Sequence, residues 1–294
     1  MLDNYLQEQT PGYGNMRVIC LTNEKGGVAK TTSCVNLAAC LARRGKQVLC
    51  LDMDPQANAT LALGFDPDDP DRDWANYALL TDPHLPLERI IHNSAITNLD
   101  VVPADRQLSN CEKALINEVG RESRLAQKLR DFARSVFTKK YDLVFVDCPP
   151  SLDLITINAL VAATDIIVPV QPKLYSLVGM EALGQTIATL HSQLNVRIQM
   201  LGILVCLYDR SAALDAVTYR LLKERITRDY GDFVFNNVIA KSVLVSEAEA
   251  DGLPVVLAAP SSPAAHAYEA VADEVVERLE RTQPVASVGG ARHA

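Results

Sequence analysis

The sequence lacks the features of a membrane protein and of a disulfide-stabilised secreted domain. No apolar run approaches the roughly 18 residues of a membrane span, and the start, Met1-Leu2-Asp3-Asn4, has neither the basic nor the apolar region of a signal peptide. The seven cysteines contain no C-x-x-C pair, and most lie in apolar patterns where cysteine behaves as a small hydrophobic residue. These absences predict a soluble protein of the reducing cytoplasm that does not bind a membrane.

The sequence also lacks an excess of positive charge. It has 28 Lys and Arg against 36 Asp and Glu, a formal net charge of -8, which excludes a chain that binds nucleic acid over its whole surface and leaves room only for a local basic patch. No internal repeat or linker divides it, and 294 residues with 48% hydrophobic content can bury one large core. We therefore predict a single domain over residues 16–281, with tails at residues 1–15 and 282–294.

The most informative stretch follows an apolar run at residues 18–21 and precedes an amphipathic helix predicted at residues 31–44. A strand, a glycine turn and a Lys-Thr pair that opens a helix form a phosphate cradle, because backbone N–H groups and the helix N-terminus point at the anion. In such a cradle Lys30 neutralises the β- and γ-phosphates, and the Thr31 hydroxyl binds Mg²⁺. The predicted nucleotide-binding residues are Lys25, Gly26, Gly27, Val28, Ala29, Lys30, Thr31 and Thr32.

This loop departs twice from the common pattern G-x-x-x-x-G-K-[ST], with Glu24 at the first glycine position and Ala29 at the second. Alanine at a position that requires a positive φ costs about 1 kcal/mol or more. If Ala29 occupies such a position, the affinity for nucleotide is expected to be lower than in the common loop.

Two further motifs place carboxylates at the ends of predicted strands. Asp52-Met53-Asp54-Pro55-Gln56-Ala57-Asn58 follows a continuous apolar strand predicted at residues 47–51. Two carboxylates at i and i+2 beside a phosphate site can orient a water molecule and the shell of a metal ion. A second apolar strand, starting at Asp142, ends in Asp147-Cys148-Pro149-Pro150-Ser151. That is the Walker B arrangement, in which the carboxylate holds Mg²⁺, usually through water.

Strands alternate with helices along the whole chain. The pattern predicts an α/β fold with a doubly wound, mostly parallel sheet flanked by helices, whose ligand sites lie at the carboxyl ends of the strands. All three motifs fall at such ends. Residues 65–96 lose the alternation, so we expect a solvated excursion with an acidic loop at residues 66–73, or else a partner-binding loop. Helical spacing predicts four core residues in the following region: Leu125, Leu129, Phe132 and Val136.

Together, K-G-G-x-x-K-T, D-x-D-P-Q-x-N and D-x-P-P-S resemble the ParA/MinD family of deviant Walker A ATPases, and particularly its Soj-like ParA branch. The resemblance covers residues 16–281 and implies ATP and Mg²⁺ as cofactors. It implies that Lys30 acts in cis, and that Lys25 reaches across a two-fold interface to the ATP of the partner subunit. It also implies that Asp54 positions the attacking water. The implied metal side consists of Thr31, Asp52 and Asp147.

The resemblance implies an ATPase that is slow without a partner and that dimerises around ATP. Such a switch positions or segregates a cargo: a plasmid, a chromosomal origin or a protein assembly. A ParB-like activator stimulates hydrolysis, and the ATP-bound homodimer binds DNA non-specifically at the nucleoid.

The residues for DNA binding match the family less well. Where the family has two arginines after the seventh strand, residues 239–244 keep one basic residue as Lys241 and have Leu244 in place of the other. The candidate DNA contacts are Arg210, Arg220, Lys223 and Lys241. Each phosphate contact that is lost weakens non-specific binding, so a positioning ATPase for a protein cargo, with weak or no nucleoid binding, is the alternative.

Two other functional classes share the loop and the fold. An Fe-S electron-transfer protein like the nitrogenase iron protein needs two cluster-binding cysteines per chain near the switches, and only Cys148 has a suitable position. A MinD-like membrane switch needs a basic, apolar C-terminal helix, whereas residues 282–294 are mostly small. With a short stretch before the first strand, no additional DNA-binding domain is expected.

Overall fold

The computed structural model describes residues 12–68, 76–136, 140–173 and 176–281. The tail predicted at residues 282–294, most of the tail at residues 1–15, and most of the acidic loop at residues 66–73 lie outside the described residues.

Eight strands form the sheet of the described chain, and the longer ones come from continuous apolar runs that are buried on both faces. The strands are β1 (Arg17–Leu21), β2 (Val48–Asp52), β3 (His92–Asn93), β4 (Leu99–Val102), β5 (Leu143–Asp147), β6 (Asp165–Val170), β7 (Gln199–Tyr208) and β8 (Ile239–Ala240). β1, β2 and β5 begin and end within two residues of the runs predicted at residues 18–21, 47–51 and 142–147, whereas β3 lies in the stretch where no strand was expected.

The strand order is β3-β4-β2-β5-β1-β6-β7-β8. Every neighbouring pair is parallel except β3 and β4, which pair antiparallel at one edge. The predicted doubly wound, mostly parallel α/β fold is therefore confirmed.

Helices cover both faces of this sheet. The α-helices of the described chain are α1 (Lys30–Arg43), α2 (Asn58–Ala62), α3 (Asn76–Thr81), α4 (Cys111–Leu115), α5 (Arg124–Arg134), α6 (Leu154–Ala162), α7 (Ser176–Leu194), α8 (Ala213–Tyr230), α9 (Val243–Ala250), α10 (Val255–Ala258) and α11 (Pro263–Arg281). Residues of α1, α2 and α9 to α11 share one hydrophobic core, and residues of α3 to α8 share the core on the opposite face. Among these helices none is long and apolar enough to cross a lipid bilayer.

Two expectations about the core need correction. Val136 is 80% exposed and is not a core residue, because α5 ends at Arg134 and Ser135 turns into extended backbone. The other three residues of that predicted stripe are buried. The excursion at residues 65–96 is not wholly solvated either, because it contains α3, whose Leu79 and Leu80 are fully buried.

The strand order brings the three motifs together. β5 lies between β2 and β1, with Asp147 level with Asp52 on one side and with Leu21 on the other. The glycine loop, the D-x-D turn and the Asp147 turn therefore leave the sheet at the same edge and next to one another.

Candidate nucleotide site

The glycine loop connects β1 to α1 in a conformation that requires left-handed backbone. Gly27 has a φ of 69° and Ala29 a φ of 65°, so the condition stated for Ala29 from the sequence is met. Lys25, Gly26 and Gly27 are exposed at the edge of the sheet, whereas Val28 is buried. The loop thus presents its backbone outward, as a phosphate cradle must.

Two side-chain amides, neither of them predicted from the sequence, tie this loop to the carboxyl end of β6. Buried Asn23 donates from Nδ2 to the Pro169 carbonyl at 2.7 Å and accepts from the Lys25 amide at 3.0 Å. Gln171 donates from Nε2 to the Gly27 carbonyl at 2.7 Å. The carboxyl end of β6 therefore fixes both the start and the middle of the loop.

Lys30 is buried at the base of the loop, only 7% exposed, and its Nζ donates to the Lys25 carbonyl at 3.2 Å. Burial lowers the pKa of Lys30, and the charge of Asp147 opposes that shift. Because water solvates this ammonium so little, an anion in the loop would gain a strong interaction with it.

Thr31 and Asp147 form the contact between the loop and β5, since Thr31 Oγ1 donates to Asp147 Oδ2 at 2.7 Å. Within the described residues, Asp147 Oδ1 is buried without a hydrogen-bond partner. Burial, followed by the charge of Asp52, raises the pKa of Asp147 well above its usual range. A buried carboxylate oxygen with an unused lone pair beside a threonine hydroxyl fits Mg²⁺, which takes one or two protein oxygens and completes its shell with water and phosphate.

Asp52 supports the D-x-D turn from inside the core. Its Oδ2 accepts from the Thr60 amide at 2.8 Å and the Thr60 hydroxyl at 2.7 Å, and its Oδ1 accepts from the Asp54 amide at 3.1 Å. Burial raises the pKa of Asp52 to about 6. Both carboxylate oxygens of Asp52 already accept hydrogen bonds from the protein, so the contribution of Asp52 to the metal side stays a prediction.

Asp54 lies at the rim of the same turn and is 6% exposed. Its Oδ1 accepts from the Gln56 amide at 2.9 Å, and Ala57, with a φ of 55°, then starts α2. The Asp54 carboxylate is close enough to Lys30 and Asp147 for its charge to act on both. The three motifs thus converge on one group of charged side chains.

Known proteins resemble this chain over most of its length. A family described as an AAA domain matches residues 16–200. The sporulation initiation inhibitor protein Soj of Bacillus subtilis is 38% identical over 259 residues, covering 88% of this chain and 98% of Soj. The chromosome-partitioning ATPase Soj of Thermus thermophilus is 39% identical over 265 residues, covering 90% of this chain and 97% of that protein.

The chain belongs to the Soj/ParA family of ATPases.

Solved structures show the same fold. Cobyrinic acid a,c-diamide synthase from Mycobacterium smegmatis, with bound ADP and magnesium, has a TM-score of 0.74 at 29% identity, covering 91% of this chain and 97% of the synthase. The septum site-determining protein MinD of Pyrococcus horikoshii, complexed with Mg-ADP, has a TM-score of 0.70 at 24% identity, covering 88% and 96%. The second likeness supports the fold alone.

In this member of the family Cys148, next to Asp147, lies in the core. Its Sγ is 3.1 Å from that of Cys20, and the thiol is fully buried. The hydrogen bond to Cys20 and burial raise the pKa of the Cys148 thiol well above its usual range. A buried thiol that resists ionisation is a poor nucleophile.

The four candidate DNA contacts lie on α8 and on the loops that follow β7 and β8. Lys241 adjoins the β7 loop, because its amide donates to the Tyr208 carbonyl at 3.0 Å. Its Nζ is 3.6 Å from Asp209 Oδ2. Lys223 donates to Asn236 Oδ1 at 3.2 Å, and Arg210 and Arg220 are exposed. The structure thus places Lys241 next to the Arg210 loop, with an acidic neighbour.

Proposed function

We propose that this chain is a Mg²⁺-dependent ATPase of the ParA type that dimerises around ATP and positions or segregates a cargo. The observation that carries the proposal is the contact of Thr31 with Asp147 beside buried Lys30, at the base of a loop whose backbone is exposed. A cation, a hydroxyl and a carboxylate with an unused oxygen are what a magnesium-bound triphosphate needs at one point.

The role proposed for each residue follows from its position in the site. Lys30 would bind the phosphates from below, and the loop amides from Gly26 to Thr32 would bind them from the side. Thr31 and Asp147 would hold Mg²⁺, which neutralises phosphate charge as the terminal bond breaks. Asp54, at the rim, would orient the attacking water, while Asp52 would keep the Asp54 turn in place through Thr60.

Lys25 is the residue that we assign to dimerisation. It is exposed at the tip of the loop, and only its main-chain carbonyl is used by Lys30. This exposure supports the proposal that its side chain binds the phosphates of a partner subunit. Hydrolysis, stimulated by a ParB-like activator, would remove the charge that holds the two subunits together.

The ATP-bound dimer would bind DNA non-specifically through four basic residues: Arg210, Arg220, Lys223 and Lys241. The second candidate for the binding partner of the dimer is a protein cargo, with weak or no binding to the nucleoid. Two observations favour it: Asp209 reduces the positive charge around Lys241, and α8 exposes three large aliphatic side chains. They are Leu214, Val217 and Leu221.

The ATPase proposal is tested by Asp147→Asn, which keeps the shape of the side chain and removes its charge. We expect ATP hydrolysis to fall by about a hundredfold, because the metal side loses its buried carboxylate. Asp142→Asn, at the exposed residue just before the same strand, is the matched control and should hydrolyse ATP at the wild-type rate. Equal turnover in the two variants would disprove the assignment of the metal side.

Co-sedimentation with DNA in the presence of ATP, ADP or no nucleotide distinguishes DNA binding from binding to a protein cargo. ATP-dependent retention that falls with salt would favour the nucleoid. An ATP-dependent dimer that leaves DNA in the supernatant at low salt would favour the protein cargo.

A further inference from the structure

A carboxylate from the far end of the chain sits on the phosphate loop. Thr32, in the first turn of α1, donates from Oγ1 to Glu249 Oε1 at 2.5 Å. Glu249 belongs to the last turn of α9, and both side chains are partly buried. Thr32 is one of the predicted nucleotide-binding residues, whereas no role was predicted for Glu249.

The position of this carboxylate has an electrostatic meaning. The first turn of a helix carries unpaired N–H groups and the positive end of the helix dipole, which favour any anion placed there. The glycine loop uses the same property to attract phosphate. Glu249 therefore lies where the field of α1 would attract a phosphate group. It also accepts a hydrogen bond from a hydroxyl of the predicted cradle.

The protein frame holds Glu249 in this place. At the end of α9, Gly252 has a φ of 68°, and a Cβ there would lie 3.2 Å from Gly64 Cα, so α9 ends in close contact with the chain after α2. Beside α9, Asn36 joins α1 to α10: its Oδ1 accepts from the Val256 amide at 3.2 Å, and its Nδ2 donates to the Thr32 carbonyl at 2.8 Å. The carboxylate is thus presented to Thr32 by packed backbone on two sides.

We propose that Glu249 competes with the nucleotide for the Thr32 hydroxyl and so lowers the affinity of the site for phosphate. Without nucleotide the hydroxyl donates to Glu249, and a bound nucleotide must take over that donor against the negative charge of the carboxylate. The inference rests on the nucleotide site of the proposed function. Loop amides of this kind face the α- and β-phosphates, which ADP and ATP share, so Glu249 weakens both nucleotides equally and speeds the release of ADP.

The test is the Kd of ADP and of ATP, each with Mg²⁺, measured by titration calorimetry on the full chain. Removing a charge-assisted competing hydrogen bond should tighten binding of both nucleotides about tenfold in Glu249→Ala. Glu249→Gln keeps an acceptor without the charge and should give a smaller gain, about threefold. Glu247→Ala removes the same charge from an exposed position on the same helix and should change neither Kd by more than about twofold.

A second pair of variants tests whether the effect passes through the hydroxyl. Thr32→Val removes the shared donor, so adding Glu249→Ala to it should tighten binding by less than about threefold. A full tenfold gain in that background would overturn the competition, as would a Glu249→Ala single variant that binds no tighter than wild type. Undetectable nucleotide binding by the wild-type chain would instead overturn the proposed function.

Discussion

The glycine-loop region and the surface around α8 and the β8 loop differ in how their charged residues are held. In the first region, Asp52 and Asp147 are fully buried, and Lys30, Thr31 and Asp54 each have a defined protein partner. In the second, Arg210 and Arg220 are exposed, and Leu214 on the same helix as Arg220 is 72% exposed. Removing one group should therefore disable the first region, whereas in the second each residue contributes little by itself.

The largest expected effect is that of Lys30→Ala on ATP binding. The variant leaves the phosphates without their buried cation, which should weaken ATP binding by on the order of a hundredfold or more. Calorimetry with ATP and Mg²⁺ measures this directly. Lys46→Ala, an exposed lysine just after α1, is the control and should bind as wild type does. Equal affinities in Lys30→Ala and wild type would refute the cradle.

Next comes Asp54→Ala, which should bind ATP and Mg²⁺ normally and hydrolyse ATP about a hundredfold more slowly, because the attacking water loses its acceptor. The variant should accumulate as a long-lived dimer. Steady-state phosphate release and light scattering measure the two effects. Wild-type turnover would remove Asp54 from the mechanism.

A third variant, Lys25→Ala, separates binding from dimerisation. It should bind ATP with the wild-type Kd, yet dimerise more weakly by about 1.5 to 3 kcal/mol, because the partner's phosphates lose a charge-assisted contact. Light scattering against concentration gives the dimer constant. If ATP-loaded Lys25→Ala dimerises like wild type, the sandwich dimer is wrong.

Replacing alanine by glycine should change the free energy of unfolding with opposite signs in the two regions, and by a smaller amount than the effects above. Ala29→Gly relieves a positive φ and should raise the free energy of unfolding by up to about 1 kcal/mol. Ala216→Gly, at an exposed helical position of α8, should lower it by about 1 kcal/mol. Urea denaturation without nucleotide measures both. Destabilisation by Ala29→Gly would contradict the strain assigned to the loop.

The smallest expected effect is that of Lys241→Ala on DNA binding. One phosphate contact contributes about 0.9 to the slope of log affinity against log salt, and Asp209 already offsets part of this charge. The variant should therefore bind DNA only a few-fold more weakly, with a slope that is shallower by less than one unit. If Lys241→Ala weakened DNA binding about as much as Lys30→Ala is expected to weaken ATP binding, the two regions would not differ as described.

The same difference explains what the sequence could predict. The three motifs and their convergence were predictable because each is local and sits at the end of an apolar strand. The supports that hold them were not: Asn23, Gln171 and Glu249 reach partners that are more than 140 residues away. Helical spacing selected Val136 because periodicity does not show where α5 ends. For the DNA candidates, the sequence showed the charges but not the pairing of Lys241 with Asp209.

The position of β5 between β2 and β1 has a consequence for how the protein is made. The first two strands flank a gap that only residues 143–147 fill, so a growing chain that has exposed the glycine loop and the D-x-D turn still lacks the strand that joins them. The site therefore cannot assemble until Asp147 has paired with Asp52, 95 residues earlier in the chain, and such non-local contacts form late and slowly in folding. During synthesis, a nascent chain would thus acquire its complete set of metal-side residues only after Asp147 has left the ribosome.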